Sequence, residues 1–231
     1  MRHGRGPAIE RLPALSLLHP RPLNRGMSFT IQITTQPTSE PVTTSDLHAW
    51  LRLNTTDEDA ILASLITTAR QQFEHLTQRA VLPTTFRQYT DRIRHGVTLL
   101  RGPVTSITGV HYYDGNDNLQ TDSTYSSDIV SLPARIRWIN PLTISLNVRP
   151  PVYVDFVAGW ADTSHVPVEV CTAIKLLAAS YYETRSAYVT DNLKELPRGF
   201  AAVCAKYALS LDGDWSHGGN RWEDRFREGL V

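Results

Sequence analysis

Three acids, Asp57, Glu58 and Asp59, stand in a row ahead of the apolar run in RLNTTDEDAILASLITTARQQF, residues 52–73. Carboxylates packed this closely can ligate a hard cation or serve as an acid–base pair. They are also a common way to begin a helix. There they meet the positive end of the helix dipole, worth about 0.3–1 kcal/mol each before mutual repulsion. The spacing favours the helix start. Thr55 with Glu58, or Thr56 with Asp59 one step later, has the interval of a capping box. A metal site would need further ligands converging from elsewhere, and no partner motif offers them.

The other residues able to do chemistry are similarly dispersed. Asp114, Asn116 and Asn118 match the opening of a calcium loop, but its sixth position is Leu119 instead of glycine and its twelfth is Tyr125 instead of glutamate. The same YDGNDN stretch is what a tight hairpin demands. The eight histidines show no zinc-type spacing. Neither glycine-rich phosphate-binding fingerprint occurs, and there is no G-x-S-x-G elbow. Cys171 and Cys204 lie among apolar neighbours in helical segments and read as buried, reduced thiols. The expectation is a protein without metal, cofactor or catalytic residues; a triad assembled from distant segments is the rival that local motifs do not address.

These residues must be carried by elements, and the hydrophobic period shows which. Thr43, with Asp46 three positions on, caps a short helix carrying Leu47, Trp50 and Leu51 on one face. Leu62, Ile66, Ala69, Phe73, Leu76 and Ala80 recur every three or four residues, the seam of a long helix that Pro83 follows. From Thr85 to Trp160 the period drops to two. TFRQYTD, GVTLL, SITGVHYYD, NLQT, TYSSDIV, ARIRWI, TISLNV and VYVDFVAGW read as short strands separated by turn formers. Pro167 then suits a helix start. That helix has Val170, Ile174, Leu177, Tyr181 and Tyr188 on its buried face and Arg185 near its end, and LPRGFAAVCAKYAL follows as a shorter helix.

The expected fold is α+β: a bundle of about four helices with a small, mostly antiparallel β-subdomain inserted between helices 2 and 3. The helices span 43–53, 57–80, 167–188 and 197–209, and the β-subdomain spans 85–160. Residues 1–40 form a disordered or extended arm, 41–210 the main domain, and 211–231 a flexible tail. The first 26 residues hold five arginines and four prolines and show no period. A start at Met27 would remove them, and a basic arm touching DNA or a neighbouring subunit is the alternative.

Composition narrows the function further. The chain has 231 residues, with 23 basic against 23 acidic, so bulk charge gives no grip on nucleic acid. No stretch approaches the ~20 apolar residues of a membrane span. The tail SLDGDWSHGGNRWEDRFREGLV sets Trp215, Trp222 and Phe226 among charges and glycines. Spaced aromatics on a flexible segment are poor core material and good docking material. Folding back on the chain's own helices is the other option.

The order of elements and their wording resemble the head–tail connector, or adaptor, proteins of tailed bacteriophages and related gene transfer particles. The similarity runs from about Pro41 to Tyr207. PVTTSDLHAWLRLNTTDEDAILASLITTARQQFEHLTQRAVLPTTFRQY looks like the family's first helical pair and its exit strand. LLRGPVTSITGVHYYDGNDN resembles its strand, proline turn and hairpin. YSSDIVSLPARIRW and VDFVAGWADTSHVPVEVCTAIKLLAASYYETRSA resemble the later strands and third helix, and LPRGFAAVCAKY the closing helix.

The resemblance implies a structural protein of the virion neck. It implies self-association into a ring, typically of twelve, under the portal protein. It implies a neck, stopper or tail-completion protein on the far side and genomic DNA passing through the channel without sequence-specific binding. No membrane is implied. In relatives the C-terminal segment tends to engage the portal, which makes Trp215, Trp222, Arg225 and Phe226 the candidate docking residues. A different neck or tail-completion role is the nearest alternative.

Overall fold

A computed structural model describes residues 29–91, 96–184 and 196–209. The first helix, α1 (Thr44–Leu51), starts as its sequence demands. The Thr43 hydroxyl accepts from the Asp46 backbone N–H at 3.0 Å, and the Asp46 carboxylate accepts from the Thr43 N–H at 3.0 Å. This reciprocal box satisfies two donors that the first turn would otherwise leave open. The helix ends at Arg52, which adopts a left-handed conformation at φ 58°.

The long seam forms α2 (Asp59–Thr77), burying Leu62, Ile66, Ala69 and Phe73. It stops three residues short of the expected end. Gln78 turns left-handed at φ 58°, and Ala80, expected on the helical seam, instead enters the core of the β-sheets. The expected capping boxes at Thr55–Glu58 and Thr56–Asp59 do not form; Glu58 is the N-cap and makes no side-chain capping bond. Distant partners take the acids instead. Glu58 accepts from the Tyr182 hydroxyl, and Asp59 pairs with His48 of α1.

The β region contains two antiparallel sheets. The larger is built from β1 (Phe29–Thr35), β2 (Thr84–Thr90), β4 (Val104–Tyr113), β5 (Leu119–Thr121) and β8 (Val152–Ala158), in the order β1-β2-β8-β4-β5. The smaller contains β3 (Gly96–Thr98), β6 (Tyr125–Asp128) and β7 (Arg135–Trp138), in the order β3-β7-β6. Strict alternation on β2 and β8 puts Phe86, Gln88, Val154 and Phe156 inside and Arg87, Tyr89, Tyr153 and Asp155 outside. Phe86 stacks on Phe156 at 5.7 Å. β1 precedes the helices in sequence yet pairs with β2 from Phe29↔Thr90 onward, so the sheet that follows α2 takes its edge strand from the segment before α1.

TISLNV, expected as a strand, is not one. Ser145 is buried and its hydroxyl donates to Asp117, the left-handed residue of the β4–β5 hairpin (φ 64°). The Ser145 N–H donates to Tyr113 O at 2.8 Å. These side-chain bonds pin the segment across the hairpin and take the place of a ladder.

After a short 3₁₀ turn at Thr163–His165, α3 (Val168–Glu183) and α4 (Arg198–Tyr207) complete a four-helix layer among the described residues. Pro167 is the N-cap of α3, one position before the expected one. Val170, Ile174 and Leu177 are buried as expected and Tyr181 is half-buried; Arg185 and Tyr188 lie outside the described residues. Phe73 meets Phe200 edge-on at 6.4 Å at the centre of the helical core. The fold is α+β, with every described strand but β1 between α2 and α3 in sequence and one buried cluster in each layer.

Candidate interaction surfaces

The calcium reading of residues 114–118 is answered by the hairpin. Asp114 Oδ1 accepts from the N–H groups of Asn116 at 2.9 Å and Asn118 at 3.1 Å, and Oδ2 accepts from the Gln120 amide at 2.9 Å. With its oxygens so used, the carboxyl is held below its ordinary range, first by the Gln120 bond. The side chain closes a turn. No group of three or more His, Cys, Asp or Glu residues among those described could hold a metal ion.

A serine, a histidine and an aspartate share a cleft of about 260 Å³ at the α1–α2 corner, lined by Ser45, His48, Asn54 and Asp59 among others. A histidine oriented by an aspartate is half of a nucleophile–base–acid relay. Ser45 is three residues ahead of His48 on the same helix, but no hydrogen bond joins the two among the described residues. The His48–Asp59 pair instead ties α1 to α2. In both cysteines burial disfavours the thiolate. Burial pushes the Cys204 thiol up to about 12 and also raises that of Cys171.

The polar groups that are gathered together mostly hold elements in place. Arg70, inside the helical layer, donates to Glu40 at 2.7 and 3.2 Å and to Glu74 at 2.8 Å. Glu74 also accepts from the Val81 N–H at 2.8 Å. One guanidinium thus binds the segment before α1 to the turn after α2. Burial opposes its charge, but the Glu40 and Glu74 bonds outweigh that and raise its pKa. Burial raises Glu74 as well, in spite of Arg70.

The outer face of the large sheet carries a second network, which local sequence did not reveal. Arg87 donates to Asp155 with both arms, at 2.7 and 2.8 Å, and lies 4.3 Å from the centre of the Tyr153 ring. His111 stacks on the same ring at 4.8 Å, and Tyr89 approaches it at 5.8 Å. Four strands contribute through register, since Arg87 pairs with Asp155 and His111 with Tyr153 and Thr121. Gly109 makes room for it: a Cβ there would come within 2.5 Å of His111 Nε2. Half-exposed aromatics around an arginine form the kind of face that protein partners use.

Trp215, Trp222, Arg225 and Phe226 all lie outside the described residues. The structure does describe the point from which their segment departs. The Leu209 N–H donates to Thr77 O at 2.8 Å and its side chain is buried. Arg79 donates to Tyr207 O at 2.6 Å, with its guanidinium 5.8 Å from the Tyr207 ring. The segment therefore leaves from the junction of the helical layer and the sheets, where Arg79 also bridges Gly102.

No protein-family model matches the chain, and no curated protein does. Solved structures do match. A chain of the neck of an empty gene transfer agent particle, computed with C6 symmetry, is 24% identical with a TM-score of 0.66. A chain from the virion of a native gene transfer agent particle is 25% identical at 0.65, and one from a native neck computed with C12 symmetry is 24% identical at 0.59. Each match covers 80% of this chain and 98% of the other. The protein thus shares the fold of these chains from gene transfer agent necks and virions.

Proposed function

We propose that this chain is a head–tail connector, or adaptor, of the virion neck of a tailed phage or gene transfer particle. It forms a ring under the portal, typically of twelve copies, extends the DNA channel and joins head to tail. The observation that carries this reading is the match over 98% of chains from solved gene transfer agent particles and their necks. The chemistry agrees: the polar clusters described above cap turns and join elements, as suits a building part. A net charge of zero suits a channel through which DNA slides, because each phosphate neutralised would add affinity. No helix among the described residues is long and apolar enough to cross a membrane.

The tail, residues 211–231, is the portal-docking element in this reading, with Trp215, Trp222, Arg225 and Phe226 as anchors. Its departure point supports a clean test. Truncation after Ser210 keeps Leu209 and its bond to Thr77, so the protein stays folded and loses portal binding. The thermal unfolding midpoint reports the first and co-sedimentation with portal the second. The full chain pellets with portal and the truncated chain does not. A full chain that never co-sediments counts against the adaptor role and favours another neck or tail-completion protein. Wild-type binding by the truncated chain removes the tail from the interface.

A further inference from the structure

Two features that the fold does not use stand on different parts of the molecule. The first is the turn between β6 and β7. Asp128 Oδ1 accepts from the N–H groups of Val130 at 3.2 Å and Ser131 at 3.0 Å, fixing the turn's shape. The turn residues, Ile129 to Pro133, carry no charge. Val130 is 91% exposed, Leu132 48% and Ile129 37%. Single exposed apolar side chains are ordinary, but three within four residues on a braced tip make a small apolar knob. It stands beside the layer junction: a Cβ on Gly102 would lie 3.1 Å from Leu132 and 3.9 Å from Leu209.

The second feature is a hollow. A cavity of about 300 Å³ opens between the segment before α1 and the first half of α2, lined by Ser39, Glu40, Val42, Thr43, Ala63 and Ile66. Val42 and Ile66 are themselves buried and form its floor. Glu40 at its rim is already bonded to Arg70 and Thr67, so covering the hollow would not strand that charge. From Ile66 to Thr77, at the junction end, α2 rises about 16 Å. Knob and hollow are thus well separated along the molecule.

We propose that the knob of one copy seats in the hollow of the next copy, forming the side-to-side contact of the ring. Complementary patches at different places on one chain make a head-to-tail contact, which generates a ring when its rotation closes. The occupant is a second copy because chains of this fold occur in necks computed with C6 and C12 symmetry. The braced turn suits the task, since a knob already held in shape loses little freedom on docking. This inference rests on the ring reading above.

The test uses the full-length chain carrying Ala63→Cys and Val130→Cys, assembled on portal and mildly oxidised. The expected result is a ladder of covalent multimers on a non-reducing gel, absent from either single variant and from the wild type. In parallel, Val130→Asp should leave the thermal midpoint unchanged, because the side chain is in solvent, and weaken ring formation tenfold or more. A ring seen by electron microscopy without a ladder, or full ring formation by Val130→Asp, overturns the inference alone. A wild-type chain that forms no ring on portal overturns the ring reading and the inference with it.

Discussion

Arg70 in the helical layer and Arg87 on the large sheet are built from the same chemistry, a guanidinium between carboxylate oxygens at 2.7–2.8 Å. Their side chains are 4% and 34% exposed. That difference separates a joint from a surface. Arg70 is enclosed, and its two acids belong to the segment before α1 and to α2, which Thr67 also joins through Glu40. Arg87 lies on a sheet whose ladder already fixes its neighbours, so its network is a finish on a completed face. Buried pairs are costly to break because one partner is left charged and unsolvated. Surface pairs contribute little, because water replaces the lost partner.

The largest expected effect follows directly. Arg70→Ala should lower stability by about 3–5 kcal/mol in urea unfolding. If it costs no more than Arg87→Ala, the contrast between the two networks fails. A pH series sharpens the same point. Burial raises Glu74 above its ordinary value of 4.5. Between that value and the raised one, the native state holds more protons than the unfolded state, so the Glu74 contribution to stability declines as pH climbs through this window. Exposed carboxylates held low, such as Asp46 through Thr43, contribute the opposite slope. The informative quantity is therefore wild type minus Glu74→Gln: its urea midpoint should fall with rising pH, and a flat difference would contradict the burial argument.

Smaller effects belong to exposed groups in either layer. Thr43→Ala removes the α1 cap and should cost about 1 kcal/mol. Arg87→Ala removes an ion pair and a ring contact on the sheet face and should cost about 1 kcal/mol or less by thermal unfolding. If that same variant weakens assembly on portal, the sheet face is an interface. Normal assembly would leave it a solvated finish.

The same division explains what could be read before the structure was seen. Local signals were legible. The Thr43–Asp46 box, the α2 seam from Leu62 to Phe73 and the hairpin at 113–118 each depend on neighbours within a few residues. Features that depend on distant partners were not. Nothing near Glu58 announces Tyr182, which is 124 residues away. Alternation in TISLNV is sound strand evidence until Asp117 claims Ser145. The outer-face network depends on the register between β2, β4, β5 and β8, which no single strand encodes. The division of the strands into two sheets follows from which strands pair, and β1 joins from ahead of the helices. The docking residues of the tail rested on composition and on the family resemblance, and they lie beyond the described residues.

Locating labelled protein in intact particles by electron microscopy is the most direct measurement of all. The structural neck role predicts density in a closed ring between the portal vertex and the tail, with none on the capsid faces. Label on the shell, along the tail tube, or absent from mature particles would contradict it.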